Sequence, residues 1–420
     1  MSSHLNTRIA IIGAGASGLT AALELKRRGY KHVVIFERDD RVGGKTFSYT
    51  YKGTAFDIGS MMFSRTDEIV KLADEFKVLY QSFKAKEFYY SKGKYLDPIA
   101  YALQEHSLFE IFRSMYGLRS IIKRNKLGEP GFGELDPDLF QSFSSFLRSH
   151  HLDAGARIFQ PAVTGLGYGF FETTPALYSL KILASMLDTN LVKSLLTNGD
   201  HVCFFPSGWM KLWQKIAKTL DVRLNSRIAS IRRDKGQGVE ITVNRKKEMF
   251  DKLIITAPLN HVHEYLDITD KEKKLFAKIQ HQRMVSTLVE GTAPLQTVFL
   301  ADNAVPERMG HVLGTECYAP ETNCSVLFQI VPKGMTQKKI RRLLEEDLAE
   351  MHCDVKHVVI QREWEYFYHV SSQDLADGFY DKLNALQGKR ETYFVSGILN
   401  FETVGHSQEL ARHVVDRYFP

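Results

Sequence analysis

The chain has 420 residues, 44% hydrophobic and 25% charged, enough to bury a large core divided over two or three domains. Its formal charge of +6 is spread among acids without a basic stripe, so nucleic acid is not an expected partner. No apolar run approaches the roughly 20 residues of a bilayer span, and the polar start "MSSHLNTR", running directly into a predicted strand, is not expected to be a signal peptide.

The first predicted element is Arg8–Ile12, a β-branched run suited to a buried parallel strand. "IIGAGASG" then places Gly13, Gly15 and Gly18 at GxGxxG spacing. Gly13 permits a tight turn, Gly15 lets a pyrophosphate approach the backbone, and Gly18 lets the next helix pack closely on the strand. That helix is predicted from about Ser17 to Arg28, with its N-terminal amides aimed at the phosphates. Val33–Phe36 is the next strand, and Glu37 closes it nineteen residues after Gly18. A carboxylate there accepts hydrogen bonds from ribose hydroxyls and repels a 2′-phosphate. GxGxxG alone is weak, but strand, helix and distal acid together point to an ADP-containing dinucleotide.

Soon after the acid, "RVGGKT" offers two residues without side chains between Arg41 and Lys45. It is a second place where backbone and cations can approach phosphate and ribityl oxygens. The series GxGxxG, Glu37-Arg38, R-x-G-G-[RK] resembles the flavin amine oxidase group of FAD proteins. "FDIGSMMF" (56–63) resembles that group's next segment, whose backbone lies beside the flavin ring. The resemblance implies one extended, non-covalently held FAD, met by Gly13, Gly15, Ala16, Ser17, Gly18, Glu37, Arg38, Gly44, Lys45, Thr46, Gly59, Ser60, Met61 and Met62. A second GxGxxG for NAD(P)H is absent from the sequence, so the substrate itself is expected to reduce the flavin.

Residues from about 98 to 200 read as helix-rich, with "SLFEIFRSMYGLRSII" spaced at i, i+3, i+4. A helix over 105–124 is apolar on one side and ends in Arg119, Lys123 and Arg124. Core packing with a favourable dipole contact is its plain reading, and transient contact with a lipid surface the alternative. "KLGEPGFGELDPD" (126–138) is a loop. "DVRLNSRIASIRRD" (221–234) and "GVEITVN" (238–244) read as a hairpin, and "DKLIITAPL" (251–259) as a buried strand running to Pro258. In the family the backbone at Ile228 meets the adenine. Residues 263–384 alternate strands with an amphipathic helix over 336–351. "TYFVSGILNFETVGHSQELARHVVDRYF" closes the chain as strand, glycine, loop and helix. Its helix start at Thr403–Val404 would aim amides at the flavin O2. The family has Gly-Glu at the strand end, whereas Gly397 is followed here by Ile398, which leaves one ribityl contact open.

No HExxH or GxSxG occurs, and His261 and His263 read as surface histidines, so no metal is expected. Cys203, Cys317, Cys324 and Cys353 form no CxxC pair, which fits reduced thiols and a cytoplasmic protein.

Beyond the FAD motifs, four segments resemble the bacterial polyenoic (linoleic) fatty acid isomerases: "GLGYGFFETTPALYSLK" (165–181), "KIQHQRMV" (278–285), "PERMGHV" (306–312) and "YFYHVSSQDLADGFYDKLNALQGKRETYFVSG" (366–397). The resemblance implies an amine-oxidase-like α/β fold. Its discontinuous Rossmann-like FAD-binding domain would take residues 1–85, 202–262 and 385–420, with a helical cap over 86–201 and a mixed-sheet substrate domain over 263–384. It also implies a redox-neutral double-bond shift in a polyunsaturated fatty acid. A hydride would leave the CH₂ between two cis double bonds for flavin N5 and return at another carbon, giving a conjugated fatty acid. The cofactor carries that chemistry, so no side chain is given a catalytic role. The protein would supply an apolar tunnel, alignment and an anchor for the carboxylate. The family's anchoring arginine falls on Lys86, which keeps the charge but loses the bidentate fork. Lys84, Tyr168, Leu191 and Trp209 complete the expected substrate-binding set. An amine oxidase-like reaction that passes electrons to O₂ is the alternative, and a non-catalytic lipid-binding flavoprotein a third reading. The sequence does not give the oligomeric state.

Overall fold

The structure is a computed structural model that describes residues 4–64, 68–83, 86–187, 202–234, 236–292, 297–317 and 319–420. Arg8–Ile12 is the centre of a five-stranded sheet. It pairs in parallel with His32–Phe36 on one side and Lys252–Ile255 on the other, and Asp221–Arg223 and Thr392–Phe394 form the edges. Every pairing is parallel, which requires cover on both faces and explains the unbroken apolar runs. The helix Ala16–Arg27 lies against this sheet and against the last helix, Val404–Tyr418. Strands from the beginning, middle and end of the sequence thus build one sheet.

The stretch 221–234 differs from its predicted hairpin. Asp221–Arg223 pairs in parallel with Val34–Phe36, and only Ile228–Asp234 joins an antiparallel sheet with Gly238–Val243 and Lys246–Phe250. Asn225, at φ +51°, turns the chain between them. Asparagine tolerates that left-handed conformation because its short polar side chain bonds locally.

The third large unit is a seven-stranded sheet ordered Val355–His369, Gln280–Gly291, Cys324–Val331, Val312–Glu316, Thr297–Leu300, Glu87–Ser91, Lys94–Leu96. Glu87–Ser91 is parallel to Thr297–Leu300, which makes the sheet mixed. The helix Gln337–Glu350 covers one face, with Leu344 and Leu348 packed on Val298, Leu300 and Leu327, as its amphipathic stripe predicts. The other face meets Phe56, Ile58 and Met61. Five helices form a further layer: Pro98–Ala102, Leu108–Arg124, Phe143–Ser149, Asp153–Gly165 and Ala176–Met186. The helix Leu108–Arg124 begins later than the predicted 105, because Ser107 and Glu110 close a capping box there.

Candidate functional site

The two glycine turns touch. Gly43 N donates to the Ala14 carbonyl at 2.8 Å, and Gly15 and Gly43 form a parallel bridge. A Cβ on Gly44 would lie 3.2 Å from the Gly15 Cα. Arg41 donates to the Gly44 carbonyl at 2.7 Å, and Thr46 Oγ1 to the Gly43 carbonyl at 2.7 Å, so the second turn is braced from behind. The helix Ala16–Arg27 has no capping side chain at Gly15, which leaves its first amides, including those of Ala16, Ser17 and Gly18, for a ligand. Glu37, buried, accepts from Ala14 N at 2.7 Å and Asp39 N at 3.0 Å. Each of its oxygens keeps a further acceptor position for a hydroxyl. Arg38 beside it is exposed and lies 3.8 Å from Asp39.

The segment carrying Gly59, Ser60, Met61 and Met62 is held between two indoles. Trp364 Nε1 donates to the Ile58 carbonyl at 3.1 Å and Trp209 Nε1 to the Met61 carbonyl at 2.9 Å. Trp209 has no accessible surface and packs on Phe63, Phe205 and Trp213. A side chain so enclosed fixes the segment. Asp57, also buried, accepts from Ser48 and from Trp209 N; burial pushes its carboxyl up to about 7 against those two hydrogen bonds.

A charged pair sits beside this cradle. Lys45 Nζ lies 2.5 Å from Glu402 Oε1, and the ring centroids of Tyr368 and Tyr366 are 4.4 and 5.3 Å from that nitrogen. Glu402 also accepts from Tyr368 N at 3.2 Å. Tyr366 donates to Tyr168 at 2.8 Å, and Tyr168 in turn packs on Phe401 at 4.8 Å between centroids. Burial raises both tyrosine pKa values, so both stay neutral. Between the tyrosines, Phe367 is buried at φ +53°, where a bulky residue is strained by about 1–3 kcal/mol. The pairing with Gln280–Gln282 slips at this place, so Phe367 and Tyr368 together stand opposite the single residue His281.

The helix Val404–Tyr418 is capped by Thr403, whose Oγ1 accepts from His406 N at 3.1 Å. Burial, with Lys181 nearby, holds the His406 imidazole down at about 3, so this helix start carries no side-chain positive charge near neutrality. Gly397 is followed by no acid, but a Cβ there would lie 2.8 Å from Glu402 Cγ. A carboxylate from five residues later thus reaches the strand end. No sequence pattern marks Glu402, apart from its place before the cap Thr403.

Of the other expected residues, Ile228 starts its strand half-buried and Pro258 follows the strand Lys252–Ile255 by three residues. Lys86 is exposed and precedes the strand Glu87–Ser91. Lys84 and Leu191 lie outside the described residues. His261 bonds Glu365 at 2.8 Å and His263 the Asn260 carbonyl at 2.9 Å. Two carboxyls were missed. Glu316, 2% exposed, has neither oxygen hydrogen-bonded, and burial followed by repulsion from Glu87 pushes it up to about 8. Glu87 is exposed at its surface, and desolvation by the surrounding protein raises its pKa too. The signal for it is the alternation of the strand, which puts Glu87 on the face of Tyr89.

Residues 16–351 match the flavin containing amine oxidoreductases. The chain belongs to that family. FAD is its cofactor. Among relatives of this amine oxidoreductase, the polyenoic fatty acid isomerase of Ptilota filicina is 22% identical over 485 residues, covering 98% of this chain and 95% of that protein. The FAD-dependent oxidoreductase dpasF of Apiospora sacchari is 25% identical over 422 residues, covering 92% and 87%. Among solved structures, a CLA-producing fatty acid isomerase from P. acnes matches with a TM-score of 0.89 and 26% identity over 99% of both chains. A putrescine oxidase bound to putrescine matches at 0.73 and 16% over 98% and 99%, a likeness of fold alone. The expected amine-oxidase-like α/β fold is therefore present, and so is the likeness to fatty acid isomerases. The residues fit FAD: two side-chain-free turns in contact, an uncapped helix start facing them, and a buried carboxylate with acceptor capacity at the strand end.

Proposed function

We propose that this family member is an FAD-dependent isomerase that moves a double bond of a polyunsaturated fatty acid to give a conjugated product. The observation that carries the reading is the full-length likeness to the P. acnes fatty acid isomerase, closer in TM-score and identity than the likeness to the amine oxidase. Bound without a covalent link, FAD would supply a ring able to accept a hydride and return it. Gly13, Gly15, Gly18 and Gly44 would admit its pyrophosphate, Glu37 its adenosine ribose, and the amides at Thr403–Val404 the pyrimidine end of the ring. Gly59, Ser60, Met61 and Met62, clamped by Trp209 and Trp364, would form the wall beside it. Lys45 and Glu402 neutralise each other there, and Tyr168, Tyr366 and Phe401 exclude water from the reacting carbons. The domain division is proposed as read from the sequence, with the FAD-binding part assembled from residues 1–85, 202–262 and 385–420.

Anaerobic incubation of the purified yellow protein with linoleate should raise conjugated-diene absorbance without forming peroxide. Deuterium placed between the two double bonds should reappear at the new saturated carbon; complete washout to solvent would mean proton transfer by a side-chain base. A second reading, oxidation of an amine with O₂ as acceptor, draws on Glu87 and Glu316, whose carboxyls could pair with an ammonium group. Stoichiometric peroxide with no diene is its signature.

Lys86 is proposed as the carboxylate anchor. Lys86→Ala should raise KM about tenfold for the free acid, the scale of one lost charged hydrogen bond, and leave KM for the methyl ester nearly unchanged. Equal effects on both substrates would move the anchor to Lys84.

A further inference from the structure

We propose that the outer face of the helix Leu108–Arg124, with the neighbouring helix Pro98–Ala102, docks on a bilayer surface rich in anionic lipid headgroups. Among the described residues ten large hydrophobic side chains are exposed, and seven of them fall between Tyr95 and Tyr116. A random scatter of exposed apolar residues needs no explanation; a concentration of this kind does. On the long helix they are Leu108, Phe109, Phe112 and Tyr116, 54, 74, 65 and 79% exposed, spaced at i, i+3 and i+4 along one stripe. The stripe is additional to the core-facing one of Ile111, Leu118, Ile121 and Ile122. The first half of the helix is therefore apolar on both sides, although only one side has protein to meet. Ile99 and Leu103 extend the surface, and both helices pack on Asp153–Gly165, which fixes them side by side.

Charge selects the occupant. From Lys92 to Lys126 seven Lys and Arg stand against three Asp and Glu, so four of the chain's six net positive charges lie in this stretch. The acids are also engaged: Asp97 caps one helix, Glu110 the other, and Glu105 pairs with Arg157 at 3.0 Å. Lys123 and Arg124 are exposed at the end of the helix, beyond the aromatic stripe. Aromatic and leucine side chains to insert at the headgroup boundary, with cations flanking them, match an anionic interface. A second copy of the chain is a poor occupant, because a two-fold contact would set the same positive face against itself. No helix among the described residues is long and apolar enough to cross a membrane, so the contact is with the surface.

The surface argument stands apart from the proposed reaction, and its test uses no turnover. Holoprotein is mixed with vesicles of phosphatidylcholine alone or with phosphatidylglycerol added, and bound protein is separated by flotation. The wild type should bind the mixed vesicles, more weakly as salt rises. Phe109→Ser with Phe112→Ser should weaken that binding at least about tenfold, given the apolar area removed. Lys123→Glu with Arg124→Glu should abolish the preference for the anionic vesicles. Flavin absorbance and circular dichroism confirm that each exposed-site variant is folded. No binding by the wild type, or equal binding by wild type and serine variant, overturns the proposal. So does a dimer on gel filtration that the serine variant dissociates, which would assign the face to a contact between copies. Loss of vesicle binding with diene formation intact, or the reverse, tells the fate of this proposal from that of the isomerase reading.

Discussion

Gly15→Val should yield a folded but colourless protein. Gly15 has φ −79° and ψ −173°, an extended conformation that any residue adopts, and a Cβ there would meet only the Gly44 Cα, at 3.8 Å. The fold therefore tolerates the side chain, and its methyl groups project between the two glycine turns, where the pyrophosphate would lie. Gly18 and Gly59 are poorer probes. A Cβ on either would drive into a backbone oxygen, of Gly13 or Lys45, and unfold the site along with emptying it. For Gly15→Val, flavin absorbance per protein should fall at least about tenfold, a loss of 1.4 kcal/mol or more in binding, with far-ultraviolet circular dichroism unchanged. Thermal stability should fall as well, because a bound cofactor stabilises the folded state by mass action. A variant as yellow as the wild type would sink the placement of the cofactor between the turns.

The two turns were legible because their requirements are local. A positive φ at Gly13, 106°, and close backbone approach at Gly15 leave glycine as the residue that serves, so the spacing shows in the letters. The strand Arg8–Ile12 was legible for a similar reason, since burial on both faces demands an unbroken apolar run. The rest of the site depends on contacts across the chain. Lys45 and Glu402 are 357 positions apart, and Trp364 meets Ile58 across 306, so nothing local marks either pair. Trp209, expected among the substrate-binding residues, has no accessible surface and donates to the Met61 carbonyl, a contact across 148 positions that no local pattern marks. The strained Phe367 follows no propensity rule, because the surrounding rings and a slipped register impose its backbone. The split of 221–234 has its local signal in Asn225, which sits at φ +51° between the two strands.

Glu316→Gln should make the protein more stable at alkaline pH and change little in acid. Glu316 pairs across the sheet with Val326, which packs in one cluster with Phe56, Ile58 and Met61, so its side chain shares the face turned toward the proposed flavin wall. With neither oxygen bonded, the ionised form has no compensation for lost hydration, and the proton is held to about 8 instead of the ordinary 4.5. A folded-state pKa above the unfolded one means that folding binds a proton. The associated stability is whole below about 4.5, declines as pH rises, and is gone once pH passes about 8. Glutamine keeps the shape and cannot ionise, so it removes the decline. The variant should therefore gain about 2–4 kcal/mol over the wild type near pH 9, less than the full shift would give because water and side-chain movement soften a buried charge. Near pH 5 the two should melt together. Glu87 titrates beside it and remains in the variant, so a shallower slope would persist rather than a flat profile. Under the two proposed readings the same proton would bear on the substrate: neutral Glu316 would leave this face apolar for an acyl chain, whereas ionised Glu316 would favour an ammonium group. Parallel melting profiles of wild type and Glu316→Gln from pH 5 to 9 would show that the carboxyl is ionised throughout, which would count against an acyl chain on this face and favour an ammonium group.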